Sequence, residues 1–372
     1  MRTRLVAVLG SLLFCVVTLA AVPGSADAKR AVVLDAPVVV GDQVQLRGKA
    51  QLKRSKVVIQ RQDGKRWKTV VKTRVRKGRF EATLPLLGTA QTLRAKVGKV
   101  HSKARTVAAG AFDACGLQPL KASGTPWSCT FVDNFDGVAL DRSKWVPQTV
   151  FASGNYPLGA FSCYYDDPAN IAVSGGALHL TVRKTPPPRA CTDQAFGLIP
   201  TPYSAGMVST YHLFSQQYGR FEARFRTEPT DQPGLQEAWW LWPDDRQGVL
   251  NSWPLAGEID IVETYSQYPG LGVPFLHYTA NDNGGPVPGL NTAWDCPAER
   301  GVYNTFTLEW TATSIQSYVN GTSCLLNTSG NPAFMKKYIL NLTQALGYGD
   351  NSYTGTAPMP ATMDVDYVKV WQ

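Results

Sequence analysis

The sequence has few of the residues that hold catalytic transition metals. Its four histidines are scattered along the chain, and no Cys-x-x-Cys pair occurs. Zinc sites usually combine such residues at short, regular spacings. We therefore expect neither a catalytic transition metal nor any required cofactor.

Long apolar runs are absent after residue 28, so no later segment is expected to cross a membrane. The chain begins with Arg2 and Arg4, continues with an apolar run from Leu5 to Val22, and then has small residues up to Ala28. This order predicts a signal peptide at residues 1 to 28 and a secreted, extracellular mature protein. A membrane anchor is the alternative, but the apolar run is barely of spanning length.

Cysteines are few, and their number is even once the predicted signal peptide is removed. Cys15 lies inside the apolar run, which continues beyond it, so we do not expect it to carry a lipid. The other six favour disulfides, because an exported chain meets an oxidising compartment. Sequence leaves the pairing open, and sequential pairing, which closes short loops, is our expectation. The expected pairs are Cys115 with Cys129, Cys163 with Cys191, and Cys296 with Cys324.

Negative charge is scarce in the first part of the mature chain. Residues 29 to 110 contain 21 Lys and Arg against 4 Asp and Glu, a net charge of +17. Residues 111 to 372 contain 14 against 23, a net charge of −9. This asymmetry indicates two domains with different partners. The basic domain could bind an anionic cell-wall polymer; a soluble spacer is the alternative, and no nucleic-acid partner is expected.

Residues 29 to 110 contain short alternating or β-branched runs, separated by turn sequences such as Asp63-Gly64 and Lys77-Gly78. Runs of this length and spacing are typical of a small β-sandwich. The stretch from Val57 to Trp67, followed by Gly78-Arg79-Phe80, resembles small immunoglobulin-like modules of bacterial surface and secreted proteins. A small, apolar segment at 108 to 111 is predicted to link this module to the rest of the chain.

Residues 111 to 372 lack the alternation of strands with helices that builds a parallel sheet. They are rich in aromatic residues, glycine and proline, and they contain many short strand-like runs. About 260 residues of this kind favour one large antiparallel β-sandwich. The runs include residues 177 to 182, 219 to 225, 238 to 242, 258 to 263, 305 to 310 and 363 to 371.

The segment at 257 to 263 carries three acids. In a regular strand Glu258 and Asp260 share one face, whereas Glu263 would point into the core. An unpaired acid in the core costs several kcal/mol. One extra residue, at Ile261 or the residue after it, returns Glu263 to the face of Asp260. The spacing therefore predicts a β-bulge.

Three acids on one face repel one another, which separates their pKa values and suits acid–base catalysis. Along a strand the Cα atoms of Glu258 and Glu263 are about 14 to 17 Å apart. The sheet must be concave to bring their carboxyl groups within about 5 to 5.5 Å, the separation that retaining glycosidases use. Asp260 can hydrogen-bond one glutamate and keep it ionised. A solvated acidic edge strand is the alternative explanation.

These acids resemble the bulged active-site motif of glycoside hydrolase family 16, the laminarinase-like enzymes with a curved antiparallel β-jelly-roll. Further segments resemble that family in the same order, from about Thr130 to Gln372. They are Phe131 to Gly137 with Leu140-Asp141 and Lys144-Trp145, Asn170 to Val173 with Gly176 to Leu178, Tyr218 to Arg224, and Met363 to Val370.

The resemblance implies a catalytic domain of this fold at residues 111 to 372, preceded by the basic immunoglobulin-like module. It also implies retention of anomeric configuration through a covalent glycosyl-enzyme. Glu258 is then the nucleophile, Glu263 the general acid/base, and Asp260 the residue that orients and tunes the nucleophile.

The alternation of side chains along the predicted strands identifies further candidates for substrate binding. Glu222 and Arg224 alternate with apolar residues and are expected to face the cleft; a surface ion pair is the alternative. Trp240 and Trp242 share a face, where a flat indole suits a sugar ring. Trp239 is expected in the core.

The resemblance assigns further positions. Trp240, His277 and Asn341 match cleft residues of the family, although a lone histidine is often structural. The family often has Trp where this chain has Gln236, and Pro or a small residue where it has Glu237, so its distal glucose-binding subsites are not carried over. Asp366 resembles a position that binds a structural calcium ion in some members, but calcium needs several oxygen ligands.

The leading hypothesis is a secreted, monomeric, retaining endo-β-glycosidase that hydrolyses a β-linked polysaccharide, with β-1,3-glucan as the first candidate. A β-galactan hydrolase or a transglycosylase of the same fold is an alternative, because the same acids serve each reaction. A noncatalytic cell-wall polysaccharide-binding protein is the third hypothesis, and the two glutamates argue against it.

Overall fold

The computed structural model describes residues 32–40, 43–51, 56–193, 197–248, 252–280 and 287–372. The predicted signal peptide, including Cys15, lies outside these residues. Within the described ranges, no helix is long and apolar enough to span a membrane.

The chain forms two compact units. The first contains Gln45–Leu84 and Gln91–Val107 together with residues up to Val38, and the second contains Ala108–Gln372 together with Val39–Val44 and Pro85–Ala90. The predicted domain boundary at residues 110 and 111 stays a prediction.

The first part of the chain is built from short strands. They are β1 Val32–Leu34, β2 Val38–Val40, β3 Gln43–Ala50, β4 Lys56–Asp63, β5 Arg66–Arg74, β6 Arg79–Pro85, β7 Gln91–Val97, β8 Val100–His101 and β9 Arg105–Val107. Strands β1 and β6 pair with β3, while β5, β4, β7 and β8 form a second sheet in that order, with β9 on β7. Alternate residues of these strands, such as Leu46, Ile59 and Leu93, are buried. Two antiparallel sheets with this alternation agree with the predicted small β-sandwich.

The second unit contains the remaining strands. The first of these are β10 Phe112–Asp113, β11 Gly116–Leu117, β12 Cys129–Asp133, β13 Val146–Pro147, β14 Ala152–Asn155, β15 Ala160–Tyr164, β16 Ile171–Ser174, β17 Ala177–Asp193 and β18 Gly197–Ser209. They are followed by β19 Gly219–Arg226, β20 Leu235–Pro243, β21 Glu258–Tyr265, β22 Val273–His277, β23 Asn304–Trp310, β24 Ile315–Val319, β25 Thr322–Asn327, β26 Tyr338–Leu346 and β27 Ala361–Trp371. Short 3₁₀ helices lie at Tyr156–Leu158, Asp245–Gln247, Pro332–Phe334 and Gly349–Asn351.

Two large sheets form most of the second unit, and β10 and β11 pair separately. The cleft sheet has the order β22-β21-β20-β26-β18, and the outer sheet has the order β17-β27-β19-β23-β24-β25. The long strand β17 joins them, because Leu178–Val182 pairs with β27 and the later residues pair with β18. Pairing is antiparallel within both sheets, and β15 adds a parallel contact to β18. The predicted all-β, curved antiparallel sandwich is confirmed.

An apolar core fills the space between the two sheets. Trp239 and Ile259 enter it from the cleft sheet, and Phe221, Phe306 and Val368 enter it from the outer sheet. Each fully buried large side chain contributes about 1.5 to 3 kcal/mol of hydrophobic free energy. Because side chains alternate along a strand, the neighbours of these residues point away from the core.

Three disulfides cross-link the second unit. They join Cys115 to Cys129, Cys163 to Cys191, and Cys296 to Cys324. The expected sequential pairing is confirmed.

Candidate active site

The strand Glu258–Tyr265 contains the predicted bulge. Against β20, Trp240 lies opposite Asp260 and Trp239 lies opposite Val262, which leaves Ile261 as the extra residue. The register against β22 shifts at the same place. Ile261 and Val262 are both buried in the core, so the next residue, Glu263, emerges on the face of Asp260.

Gly257 allows the chain to enter this strand. Its φ is +84°, and a Cβ there would lie 2.6 Å from the carbonyl oxygen of Ala333. Any other residue would both strain the backbone and collide with Ala333. The glycine therefore fixes the position at which Glu258 begins the strand.

The three acids line a pocket of about 240 Å³ on the cleft sheet. A second pocket of about 470 Å³ adjoins it and shares Phe151, Met207, Trp240 and Glu258 with the first. Together they form one cleft. Its other described lining residues are Ala152, Ser153, Tyr164, Gln236, Ala238, Thr343 and Ala345 in the first pocket, and Gln148, Val150, Ser209, Tyr211, Trp242, Pro243, Asp245, Trp253, Ile339 and Asn341 in the second.

Glu258 lies where the two pockets meet. The indole N–H of Trp253 donates a hydrogen bond of 2.8 Å to its Oε2. Burial raises the pKa of Glu258 well above the usual range, the negative charge of Asp260 raises it further, and His277 and the Trp253 hydrogen bond oppose the rise.

Asp260 lies between the two glutamates and contacts His277. The distance from its Oδ2 to His277 Nε2 is 3.2 Å, and ligand atoms of Glu258, Asp260 and His277 lie within 4.8 Å of one another. Burial and the charge of Glu263 raise the pKa of Asp260 well above its usual value. The short polar contact described for Asp260 is thus with His277, whereas the sequence predicted a hydrogen bond to a glutamate.

Glu263 receives a hydrogen bond on each carboxylate oxygen. Gln236 Nε2 donates to Oε1 at 2.6 Å, and the phenol of Tyr265 donates to Oε2. Burial raises the pKa of Glu263, while these two hydrogen bonds and His277 lower it. Trp294 stacks on the Tyr265 ring, with centroids 6.0 Å apart and planes 8° from parallel.

Burial thus raises the pKa of all three carboxyl groups. Because the groups lie close together, ionisation of all three at once carries an additional electrostatic cost. Both effects favour the protonated form of these carboxyl groups. A protonated carboxyl group beside an ionised one is the pair that acid-assisted nucleophilic displacement requires.

The tryptophans occupy the predicted faces. Trp240 and Trp242 line the cleft, and Trp240 donates a hydrogen bond of 2.9 Å from its indole nitrogen to Thr343 Oγ1. Trp239 is fully buried in the core, as predicted. Asn341 also lines the cleft, where its Nδ2 lies 3.5 Å from the carbonyl oxygen of Trp240.

The prediction that Glu222 and Arg224 face the cleft is wrong. Both lie on β19 in the outer sheet, on the side opposite the apolar core. Glu222 is buried and accepts a hydrogen bond of 2.7 Å from Arg220, and Arg224 pairs with Asp366. The alternation of side chains correctly placed both residues on the side of their strand that faces away from the core. However, the cleft lies on the other sheet, and the sides of the two sheets that face away from the core point in opposite directions.

The environment of Asp366 does not fit a calcium ion. Arg224 places a guanidinium against its carboxylate, whereas calcium requires several converging oxygen ligands. Among the described residues, the groups of acids, cysteines and histidines close enough to share a metal ion do not include Asp366. A calcium ion at Asp366 is therefore not part of the reaction proposed for the three acids.

Glu237, which departs from the family pattern, is completely buried on the core side of β20. Arg300 forms two hydrogen bonds with its carboxylate, of 2.7 and 2.8 Å, and Thr264 donates a third. The acid is thus structural, and its partner compensates its charge.

Sequence reasoning missed three residues that contact the acids: Gln236, Tyr265 and Trp253. Tyr265 follows Glu263 by two residues, so parity beyond the bulge would have placed both on one face. Gln236 lies opposite Tyr265 in the strand pairing, and pairing register is not readable from this sequence. Trp253 precedes the strand and follows no periodic pattern.

Tyr211 and Asp245 line the second pocket and form a polar cluster with His212, which sequence reasoning also missed. The Tyr211 phenol donates to Asp245 Oδ2 at 2.8 Å, and His212 Nε2 lies 2.7 Å from Oδ1. Tyr211 and His212 stack, with ring centroids 3.9 Å apart.

Comparison with known proteins agrees with this geometry. The family model for Glycosyl hydrolases family 16 matches residues 160–366. The chain is 26% identical over 269 residues to Glucan endo-1,3-beta-glucosidase A1 of Niallia circulans, covering 64% of this chain and 37% of the relative. It is 29% identical over 181 residues to Keratan-sulfate endo-1,4-beta-galactosidase of Sphingobacterium multivorum, covering 46% and 41%. The chain thus spans less than half the length of these relatives.

A solved structure shows the same fold. The endo-beta-1,3-glucanase from Pyrococcus furiosus superposes with a TM-score of 0.55 and 24% identity, covering 68% of this chain and 97% of that one. The bulged strand, the acids on one face of the cleft sheet and the family match across more than half of the residues agree with one another. The chain belongs to glycosyl hydrolases family 16.

Proposed function

We propose that the protein is a retaining endo-β-glycosidase that hydrolyses a β-linked polysaccharide. The observation that carries this proposal is the placement of Glu258 and Glu263 on one face of the cleft sheet, across the bulge, where burial raises both pKa values. Two carboxyl groups with these properties are the machinery of glycoside hydrolysis.

In the first step, Glu258 attacks the anomeric carbon as Glu263 gives its proton to the glycosidic oxygen. The bond to the leaving sugar breaks while the bond to Glu258 forms. In the second step, Glu263 removes a proton from water, and the water oxygen displaces the Glu258 carboxylate. Asp260, beside His277, orients and tunes the nucleophile through its charge.

We propose a neutral β-glucan, with β-1,3 linkages first, as the substrate. The tryptophans at positions 240, 242 and 253 offer flat apolar surfaces to sugar rings. None of the described residues that line the cleft is Lys or Arg. A sulfated galactan would carry anionic groups into a cleft that is already lined by four acids, which disfavours that alternative. Transglycosylation uses the same acids and remains the second candidate.

Two further parts of the proposal concern location and partners. Three disulfides support secretion, because such bonds form in oxidising compartments. We also propose that the protein acts as a monomer and that the basic residues 29 to 110 bind an anionic polymer of the cell wall.

The test is a panel of laminarin, mixed-linkage glucan, agarose and κ-carrageenan, with sizing of the products. We expect oligosaccharides from laminarin, and none after Glu258→Gln, which removes the nucleophile with little change in shape. Glu299→Gln is the matched control, because Glu299 is exposed and outside the cleft. Full hydrolysis by Glu258→Gln would contradict the assignment.

A further inference from the structure

A cationic surface lies on the outer side of the sheet formed by β5, β4, β7 and β8. Val57, Ile59, Leu93 and Ala95 are buried on the inner side. Because side chains alternate along each strand, the residues between them point outward. The strand pairing identifies which outward residues are neighbours.

Lys56 lies directly opposite Arg74. One step along, Val58 of the central strand β4 lies between Lys72 on one side and Lys96 on the other. The next outward position of β4, Gln60, is paired with Arg94. These five cations define the cationic face: Lys56, Lys72, Arg74, Arg94 and Lys96.

Within the part of the chain that the structure describes, no acid compensates the cationic face. None of the described positions that share it in β4, β5, β7 and β8 is Asp or Glu. The ion pairs of this part of the chain, Arg47 with Glu81 and Lys68 with Asp63, do not involve the five cations. Cations placed directly opposite each other destabilise a sheet, so this arrangement has no benefit for folding.

Arg94 is held in a fixed position on this face. Its guanidinium lies 4.1 Å from the centroid of the Trp67 ring, and its Nε donates a hydrogen bond of 3.0 Å to Gln60. Among the described residues its terminal N–H groups have no hydrogen-bond partner, so they are available to a ligand. A preoriented guanidinium recognises carboxylate, sulfate or phosphate with two parallel hydrogen bonds.

The positive charges of this face also affect the pKa of the neighbouring His101. It lies opposite Lys96, and its pKa is lowered by burial and by the positive charges of Arg94 and Lys96. Cations on adjacent strands are about 5 Å apart, and those two residues apart on one strand are about 7 Å apart. A flat array of this kind fits a linear polymer with repeated anionic groups better than a single small anion.

We propose that the cationic face binds an anionic polysaccharide, a glycan whose repeat carries carboxylate, sulfate or phosphate groups. This inference gives a location to the affinity proposed for residues 29 to 110 and does not depend on the chemistry of the cleft. A glycan is favoured over single-stranded nucleic acid because the aromatic ring here, Trp67, is covered by Arg94 and cannot stack on bases. The cationic face also extends across three paired strands, which is wider than the helix or two-stranded ribbon that enters the major groove of a duplex.

The test compares two full-length variants with the same net charge. The face variant carries Lys72→Gln, Arg74→Gln and Lys96→Gln. The control variant carries Arg47→Gln, Lys49→Gln and Arg79→Gln, which removes three exposed cations from β3 and β6. Binding to immobilised heparin, alginate and duplex DNA is measured as a function of salt, and thermal unfolding verifies that each variant folds.

We expect the face variant to bind heparin and alginate on the order of 100-fold more weakly at low salt, as removal of three cations from a polyanion contact predicts. The control should lose much less, and the difference should vanish near 1 M salt, where the screening length is about 3 Å. Equal losses in both variants, or no binding of the unaltered protein to either glycan, would overturn the proposal. So would tighter binding to duplex DNA than to both glycans. If the face variant does not fold, Lys72→Gln alone should still weaken binding more than Lys49→Gln.

Hydrolysis of soluble laminarin separates this result from the proposed enzymatic function. Both variants should retain it, since the altered residues lie outside the unit that contains the acids. Loss of glycan binding with intact hydrolysis supports the cationic face, whereas binding without any hydrolysis would contradict the proposed function alone.

Discussion

Tyr265→Phe should move the pH dependence of hydrolysis to higher pH. The phenol of Tyr265 donates a hydrogen bond to Glu263, and Gln236 donates to the other oxygen. Both donors stabilise the ionised carboxylate and so lower its pKa. The general acid must hold a proton for the first step, so activity is lost as pH rises through this pKa. Removal of a donor raises the pKa, and the alkaline limb should follow it upward.

The size of the shift follows from the energy of the hydrogen bond. A hydrogen bond to a charged group contributes about 1.5 to 3 kcal/mol, and one pKa unit corresponds to about 1.4 kcal/mol. Water can enter the cleft and replace part of the lost interaction, so we expect a shift of about one unit. The ring of the new Phe should keep its stacking on Trp294, which leaves the local packing unchanged.

The assay is kcat/KM on soluble laminarin across pH, measured by the release of reducing ends. Tyr268→Phe is the matched control, because Tyr268 also packs on Trp294 but has no hydrogen bond to the acids among the described residues. The acid limb should be the same in all three proteins, since it reports ionisation of the nucleophile. An alkaline limb of Tyr265→Phe that stays in place or moves downward would refute the reasoning, as would an equal shift in Tyr268→Phe.

Glu263→Ala should keep the first step on an activated aryl glycoside but accumulate the glycosyl-enzyme, and azide should restore turnover with a β-glycosyl azide as product. An α-configured product would contradict the retaining mechanism. Reduction of the disulfides should lower the melting temperature, because each bridge contributes about 2 to 4 kcal/mol; an unchanged melting temperature after complete alkylation would argue against them. Arg300→Met should lower the free energy of unfolding in urea by about 3 to 5 kcal/mol, since it leaves Glu237 buried without its partner. Arg226→Met breaks a more exposed pair with Asp364 and should cost at most about 1 kcal/mol.

The alternation of side chains within one strand predicted much of the site from the sequence. The acids at 258, 260 and 263, the bulge between them and the opposite faces of Trp239 and Trp240 all follow from which side chains an apolar core accepts. These are local constraints, and the nearest residues determine them.

The failures concern relations between strands. Glu222 and Arg224 obey the same alternation, yet the pattern does not state in which of two sheets their strand lies. Gln236 reaches Glu263 because β20 and β21 pair in one particular register, and that register depends on the whole sheet. Trp253 reaches Glu258 from outside any strand, where no periodicity exists to guide a prediction.

The bulge at Ile261 also bears on how this strand tolerates changes in length. Deletion of Ile261 would give a regular strand in which the second glutamate stands four positions after Glu258, an even number, instead of the present five. All three acids would keep their common face. Their spacing along the sheet would change little, because Asp260 and Val262 already lie opposite the adjacent residues Trp240 and Trp239. The loss of one residue at this point therefore removes the bulge without turning any of the acids into the core. The strand thus has one position at which evolution or design can shorten it by a residue while all three acids stay on the cleft side.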